Sequence, residues 1–257
     1  MPALPGREPV RSLLWGHEAG PERRRVIQAI LFDVVGTLLR VRGSVGQIYA
    51  DVGSTLGLAV APPVAEFRFR AAFRAQESLD AARGWQTDAE REANRWRAIL
   101  QTVFHDQSQA ADPFPVLWEH FSQPASWECF PDVSATLAEL AGQGLRQALG
   151  SNFDSRLHTV LDGFPELAGL RPRFISAEVG WSKPAPEFYA RVVADLGLPP
   201  EAILVVGDDE RNDVAAARAA GLRALLLDRR GGNARNDDSL MSLAQLGAWL
   251  RREQGAG

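Results

Sequence analysis

Short apolar runs alternate with helical patterns along most of this chain, and that alternation limits the fold more than any other feature. Five runs read as strands: Ile27–Asp33, Leu145–Ser151, Arg173–Ala177, Ala202–Asp208 and Leu222–Asp228. Before, between and after the last four, apolar residues recur at helical spacing over Asp132–Ala141, Pro186–Leu196, Asn212–Ala220 and Ser239–Arg252, the first opening on Asp132 as a capping residue. Strands that alternate with helices predict a parallel, doubly wound, Rossmann-like α/β sheet. Ser44 to Glu128 breaks the rhythm and shows no clear strand. Its apolar residues recur at three- and four-residue spacing (Val64, Phe67, Ala71, Ala75, Leu79; then Trp96, Ile99, Leu100, Val103), which predicts an inserted helical bundle. The expected division is a tail over 1–24, an α/β core over 25–43 and 129–257, and a helical insert over 44–128.

The first run ends at Phe32-Asp33-Val34-Val35-Gly36-Thr37-Leu38-Leu39. Asp33 therefore sits at the C-terminal tip of a strand, where open α/β sheets bind ligands. Gly36 and Thr37 turn the backbone and can offer N–H groups to an anion. Three further segments follow in order: Leu149-Gly150-Ser151-Asn152, then Ser182-Lys183-Pro184-Ala185-Pro186-Glu187-Phe188-Tyr189, then Val206-Gly207-Asp208-Asp209-Glu210-Arg211-Asn212-Asp213. Ser151 can donate one hydrogen bond and Asn152 two, to a bound anion or to the start of the next helix. Three acids as close as Asp208, Asp209 and Asp213 repel one another unless a cation lies near.

The chain has 28 Lys and Arg residues, and Lys183 is its only lysine. An ammonium is a compact point charge on a flexible stem, unlike the planar arginine fork. A site that places one such charge beside a carboxylate and a phosphate gives a reason to keep it.

Taken together, the four segments resemble the ordered motifs of the haloacid dehalogenase-like (HAD) hydrolases, over residues from about 25 to the C-terminal end. The helical segment resembles the family's helical cap in position and helical character only. The resemblance implies Asp33 as nucleophile and Lys183 as its charge-neutralising partner. It implies phosphate binding by Gly36, Thr37, Ser151, Asn152 and Lys183. It implies Mg²⁺ held by Asp33, the backbone carbonyl of Val35 and Asp208, with Asp209 and Asp213 behind them. One position departs from the pattern. Phosphatases of the family carry a second Asp, the general acid and base, where this chain has Val35.

The reading that follows is a Mg²⁺-dependent hydrolase of a small phosphorylated metabolite, working through a phosphoryl-Asp33 intermediate and slowed by Val35. The alternatives are a phosphate-binding pseudoenzyme with a regulatory role and a metal-independent 2-haloacid dehalogenase. A formal net charge of −4 argues against nucleic acid as partner. No apolar run reaches the roughly 18–20 residues of a membrane span. The single Cys129 suits a reducing cytoplasm. Nothing in the sequence sets the oligomeric state. The tryptophans of the helical segment, Trp85, Trp96, Trp118 and Trp127, are expected in core packing, and Arg68, Arg70, Arg74 and Arg83 on solvated helix faces.

Overall fold

Strand β1, Ala29–Phe32, is four apolar residues long and fully buried, so it needs hydrogen-bonded neighbours on both sides and apolar cover on both faces. The computed structural model, which describes residues 26–105, 111–232 and 238–255, supplies both. The tail expected over 1–24 lies outside the described residues. Next come β2, Leu39–Val41, and four helices: α1, Val45–Thr55; α2, Pro62–Ala82; α3, Ala89–Val103; α4, Phe114–His120. Strand β3, Trp127–Cys129, returns antiparallel to β2 with Val41 opposite Trp127, so the helical segment leaves and rejoins the sheet through one short ribbon. The expectation of no strand up to Glu128 is corrected here. A three-residue strand is too short to carry a period, and its partner lies far away in sequence.

The chain continues through α5, Val133–Gly142; β4, Arg146–Ser151; α6, Arg156–Asp162; β5, Arg173–Ile175; α7, Ser176–Val179; α8, Pro186–Leu196; β6, Ile203–Gly207; a π-helical turn, Glu210–Ala215, leading into α9, Ala216–Ala219; β7, Arg223–Leu227; β8, Ser239–Leu240; and α10, Leu246–Gly255. The six-stranded sheet is parallel in the order β5-β4-β1-β6-β7-β8. Side chains alternate across it. Ile30, Phe32, Leu204 and Val206 face a core closed by α5, α6 and α10, while Ala29, Leu31, Ile203 and Val205 face one closed by α8 and α9. A third cluster, including Tyr49, Ala65, Ile99 and Leu117, holds α1 to α4 together.

Three expected elements differ. Strand β5 stops at Ile175 and turns at once into α7. The helix expected from Ser239 begins instead as β8, whose backbone satisfies the edge of β7 (Asp228 N–H to Leu240 O, 2.8 Å), and α10 starts only after a capping box between Ser242 and Gln245. Asp132 makes no cap for α5. Its carboxylate accepts from Arg229 (2.9 Å), the Ser242 hydroxyl (2.7 Å) and the Leu243 amide (2.9 Å), tying α5 to the C-terminal segment.

Candidate active site

Strands β4 and β6 flank β1, so the chain segments leaving their C-terminal ends converge on Asp33 at the point where the strand order departs in both directions. The Asp33 amide donates to Val206 O (2.9 Å), fixing the residue one position beyond the last pair. Asp33 is 8% exposed, and Oδ1 accepts from Lys183 Nζ at 2.8 Å. No hydrogen bond among the described residues reaches its other oxygen.

Lys183 is 3% exposed and all three of its protons are used: on Asp33, on Asp213 Oδ1 (2.6 Å) and on Gly150 O (3.0 Å). Burial alone would lower its pKa, but the two carboxylates more than offset that and the net shift is upward, so the ammonium stays charged. Asp213 in turn accepts from the Asp209 amide through Oδ2 (3.2 Å). Asp209 is the N-cap of the π-helical turn, accepting from the Arg211 and Asn212 amides (2.9 and 2.8 Å) and from Asn212 Nδ2 (3.0 Å). Its carboxylate is thus committed to the loop that carries Asp208.

Carboxylate oxygens of Asp33, Asp208 and Asp213 lie within 4.8 Å of one another. Lys183 balances Asp33 and Asp213, while no ion pair or hydrogen bond among the described residues reaches Asp208. Asp208 as a residue is exposed, but partial burial of its carboxyl, then the charges of Asp33 and Asp213, push it up to about 8. Burial likewise raises Asp213, to about 6, against the opposing pull of Lys183. An uncompensated hard oxygen ligand beside two others fits a divalent cation such as Mg²⁺.

Several residues do other work than the sequence suggested. The Gly36 amide is not offered to an anion; it donates to Leu39 O at 2.7 Å, closing the turn. The glycine is required by its φ of +93° and because a Cβ there would collide with the Asp208 carboxylate. Thr37 is fully buried, its hydroxyl has no partner among the described residues, its carbonyl accepts from Arg229 (2.8 Å), and neither it nor Gly36 lines the cavity. Asn152 uses its amide on the Lys183 peptide, donating to Lys183 O (2.8 Å) and accepting from Lys183 N–H (2.7 Å). Ser151, at the end of β4, does line the cavity. So does Val35, 39% exposed.

The cavity, about 610 Å³, runs from Asp33, Lys183 and Asp208 into the helical segment. Trp96, Trp118 and Trp127 line it; Trp127 also lies in the core as expected and Trp96 packs against the helical core, so only Trp118 departs from the expectation of core packing. Trp85, at φ 62° in the turn after α2, does not line it; the Trp85 carbonyl accepts from the Ser182 amide (3.0 Å), next to Lys183, and Arg211 covers its ring at 4.8 Å. Arg68, Arg70, Arg74 and Arg83 stay off the cavity; the arginines that reach it, Arg95 and Arg156, lay in no motif the sequence displayed. Both sit on aromatic rings, Arg156 at 3.4 Å from Trp118 and Arg95 at 4.6 Å from Phe73.

A parallel sheet of this order, with an aspartate–lysine pair and an acidic loop at its C-terminal edge, defines a hydrolase of the haloacid dehalogenase type. The chain belongs to the haloacid dehalogenase-like hydrolase family, whose pattern matches residues 27–221. It is 30% identical over 235 residues to the haloacid dehalogenase-like hydrolase domain-containing protein 3 of Danio rerio, covering 88% of this chain and 97% of that one. A phosphoserine phosphatase of Thermus thermophilus is 35% identical over 120 residues, 42% of this chain and 44% of its own length. Among solved structures, the L-2-haloacid dehalogenase of Xanthobacter autotrophicus superposes with a TM-score of 0.69 at 20% identity, covering 90% of this chain and all of the other, which speaks to the fold. No helix among the described residues is long and apolar enough to cross a membrane.

Proposed function

We propose that this chain is a Mg²⁺-dependent phosphoric monoester hydrolase in which Asp33 is the nucleophile and the helical segment 44–128 acts as a cap. The observation that carries the reading is Asp208: a carboxylate without a cation, placed against the Asp33–Lys183–Asp213 cluster. Asp33, the Val35 carbonyl and Asp208 would hold the cation, which when bound supplies a Lewis acid for phosphoryl oxygens. The same unpaired acid disfavours a metal-independent dehalogenase, which has no cation to offset it.

Lys183 fixes Asp33 through Oδ1 and leaves the second oxygen to attack phosphorus. The P–O bond to the leaving group breaks as the Asp33–phosphorus bond forms, and the ammonium offsets charge on the transferred oxygens. The departing alkoxide then needs a proton, and position 35 offers only an isopropyl group. General acid–base assistance is worth about 10²–10⁴-fold, so turnover is slow with poor leaving groups and less affected with acyl phosphates. Water attack on phosphoryl-Asp33 is slow for the same reason. Hydrolysis of acetyl phosphate by the wild type with Mg²⁺, with EDTA, and by Asp33→Asn tests the reading. Turnover that needs both Mg²⁺ and Asp33 is expected. Turnover unchanged by EDTA, or equal in the variant, overturns it.

A further inference from the structure

The far half of the cavity is built for a body quite unlike a small charged acid. Nine aromatic residues line the cavity, and six of them lie on α1 to α4: Tyr49, Phe69, Phe73, Trp96, Phe114 and Trp118. They form a wall of two ring groups bridged by the Arg156 guanidinium, with Phe69 stacked on Trp96 (13° between planes) in one and Phe114 tilted against Trp118 (centroids 5.1 Å apart) in the other. Such walls hold flat apolar groups by area and by ring geometry.

Charge in this half points the same way. Arg156 is paired with Asp154 (2.7 Å), and Arg95 stands between Asp80 (3.4 Å) and Glu92 (4.0 Å). Asp80 is also held by Arg91 (2.6 Å). Glu77 lines the cavity with no hydrogen bond or ion pair among the described residues, and burial raises its pKa. The two arginines that face the cavity are thus already matched by acids, and among the described residues no unpaired cation lines this half to take a second anionic group. Among the described lining residues of this wall, Glu77 adds a negative charge that Arg95 and Arg211 offset only from a distance.

We infer that the substrate is a phosphomonoester whose leaving group carries an aromatic or broad apolar body, uncharged or cationic at its far end, and not a second carboxylate or phosphate. This rests on the reading of Asp33 and Asp208 as the phosphoryl end of the cavity. The apolar body lies against Trp96, Trp118 and Phe73 while the phosphoryl group meets Lys183 and Ser151. A compound such as phosphoserine would bring a carboxylate to a wall with no cation to receive it, at the cost of desolvation.

The test is calorimetric titration of the full chain, loaded with Mg²⁺, with three phosphonates that cannot be hydrolysed: 2-phenylethylphosphonate, ethylphosphonate and phosphonoacetate. Burial of one phenyl ring predicts about thirtyfold tighter binding of the first than of the second, with the third weakest. Trp118→Leu and Phe73→Leu should each shrink the phenyl-to-ethyl ratio several-fold, and either variant serves if the other fails to fold. The same ranking is expected in kcat/KM for 2-phenylethyl phosphate, ethyl phosphate and phosphoserine, whose leaving groups are all alkoxides. Equal binding of the phenyl and ethyl compounds, tightest binding of phosphonoacetate, or no binding of any overturns the inference. The phosphonate ranking with no turnover of any phosphoester supports it and counts against the hydrolase reading instead.

Discussion

Asn152 grips the peptide unit on either side of the Lys183 Cα, donating to its carbonyl at 2.8 Å and accepting from its amide at 2.7 Å. A side chain at the tip of one strand thus sets the backbone of the lysine that reaches Asp33. Asn152→Ala removes both bonds, each worth about 1 kcal/mol, and lets the ammonium drift. We expect kcat on acetyl phosphate to fall about ten- to a hundredfold, with a modest drop in Tm. Asn152→Asp keeps the acceptor but sets a carboxylate oxygen against the Lys183 carbonyl, and that repulsion should make its loss no smaller than that of Asn152→Ala. Steady-state kinetics beside thermal unfolding checks both.

Removing Asp213 leaves a buried ammonium with one carboxylate in place of two. Breaking a buried pair by deleting one partner costs about 3–5 kcal/mol. Because Lys183 keeps Asp33 and the Gly150 carbonyl, and the repulsion between Asp213 and Asp33 is relieved, denaturant unfolding of Asp213→Ala should show a loss smaller than that but above about 1 kcal/mol. A loss below about 1 kcal/mol would show that water reaches Lys183.

Asp208 is raised to about 8 and Asp213 to about 6 from an ordinary carboxylate value of 3.8. The folded protein then binds more protons than the unfolded chain across this window. Stability without metal is greatest below the unfolded value and declines as pH rises from about 4 to 8. A cation replaces those protons, so Mg²⁺ should raise Tm more at pH 8 than at pH 5. Thermal unfolding at several pH values, with EDTA and with Mg²⁺, reads both trends. A metal-free Tm that climbs from pH 5 to 8 contradicts the arrangement.

At Gly36 a methyl group would meet the Asp208 carboxylate and force a left-handed backbone on alanine. Gly36→Ala should destabilise the protein by about 1 kcal/mol or more. It should also weaken Mg²⁺ binding, since the carboxylate must move. Isothermal titration with Mg²⁺ separates this from a purely backbone effect, which would leave the affinity unchanged.

The five strands β1, β4, β5, β6 and β7 and the order of the four motifs could be read in the sequence because each is local: an apolar run, a turn residue, a fixed spacing. What could not be read depends on distant partners. Strand β8 is two residues that become a strand only because β7 presents an open edge. Asp132 looks like a helix cap until Arg229 and Ser242 arrive from the far end of the chain. The sequence places Asn152 beside a phosphate; the fold spends its amide on Lys183. Nor could Arg95 and Arg156 be told from other arginines in an arginine-rich chain, since what distinguishes them is that the fold brings them to the cavity. The aromatic wall was visible only as four tryptophans.

The ribbon of β2 and β3 pairs just three residues with three, with Leu39 opposite Cys129. Both passages of the chain between sheet and helices therefore go through one narrow neck. Helices beyond such a neck can be lengthened or trimmed without shifting the register of β1 or β6, the strands that end next to Asp33 and Asp208. A lineage can thus change the aromatic wall while leaving the reacting end in place, as long as residues 85–87 keep their backbone contacts to residues 180–182 beside Lys183.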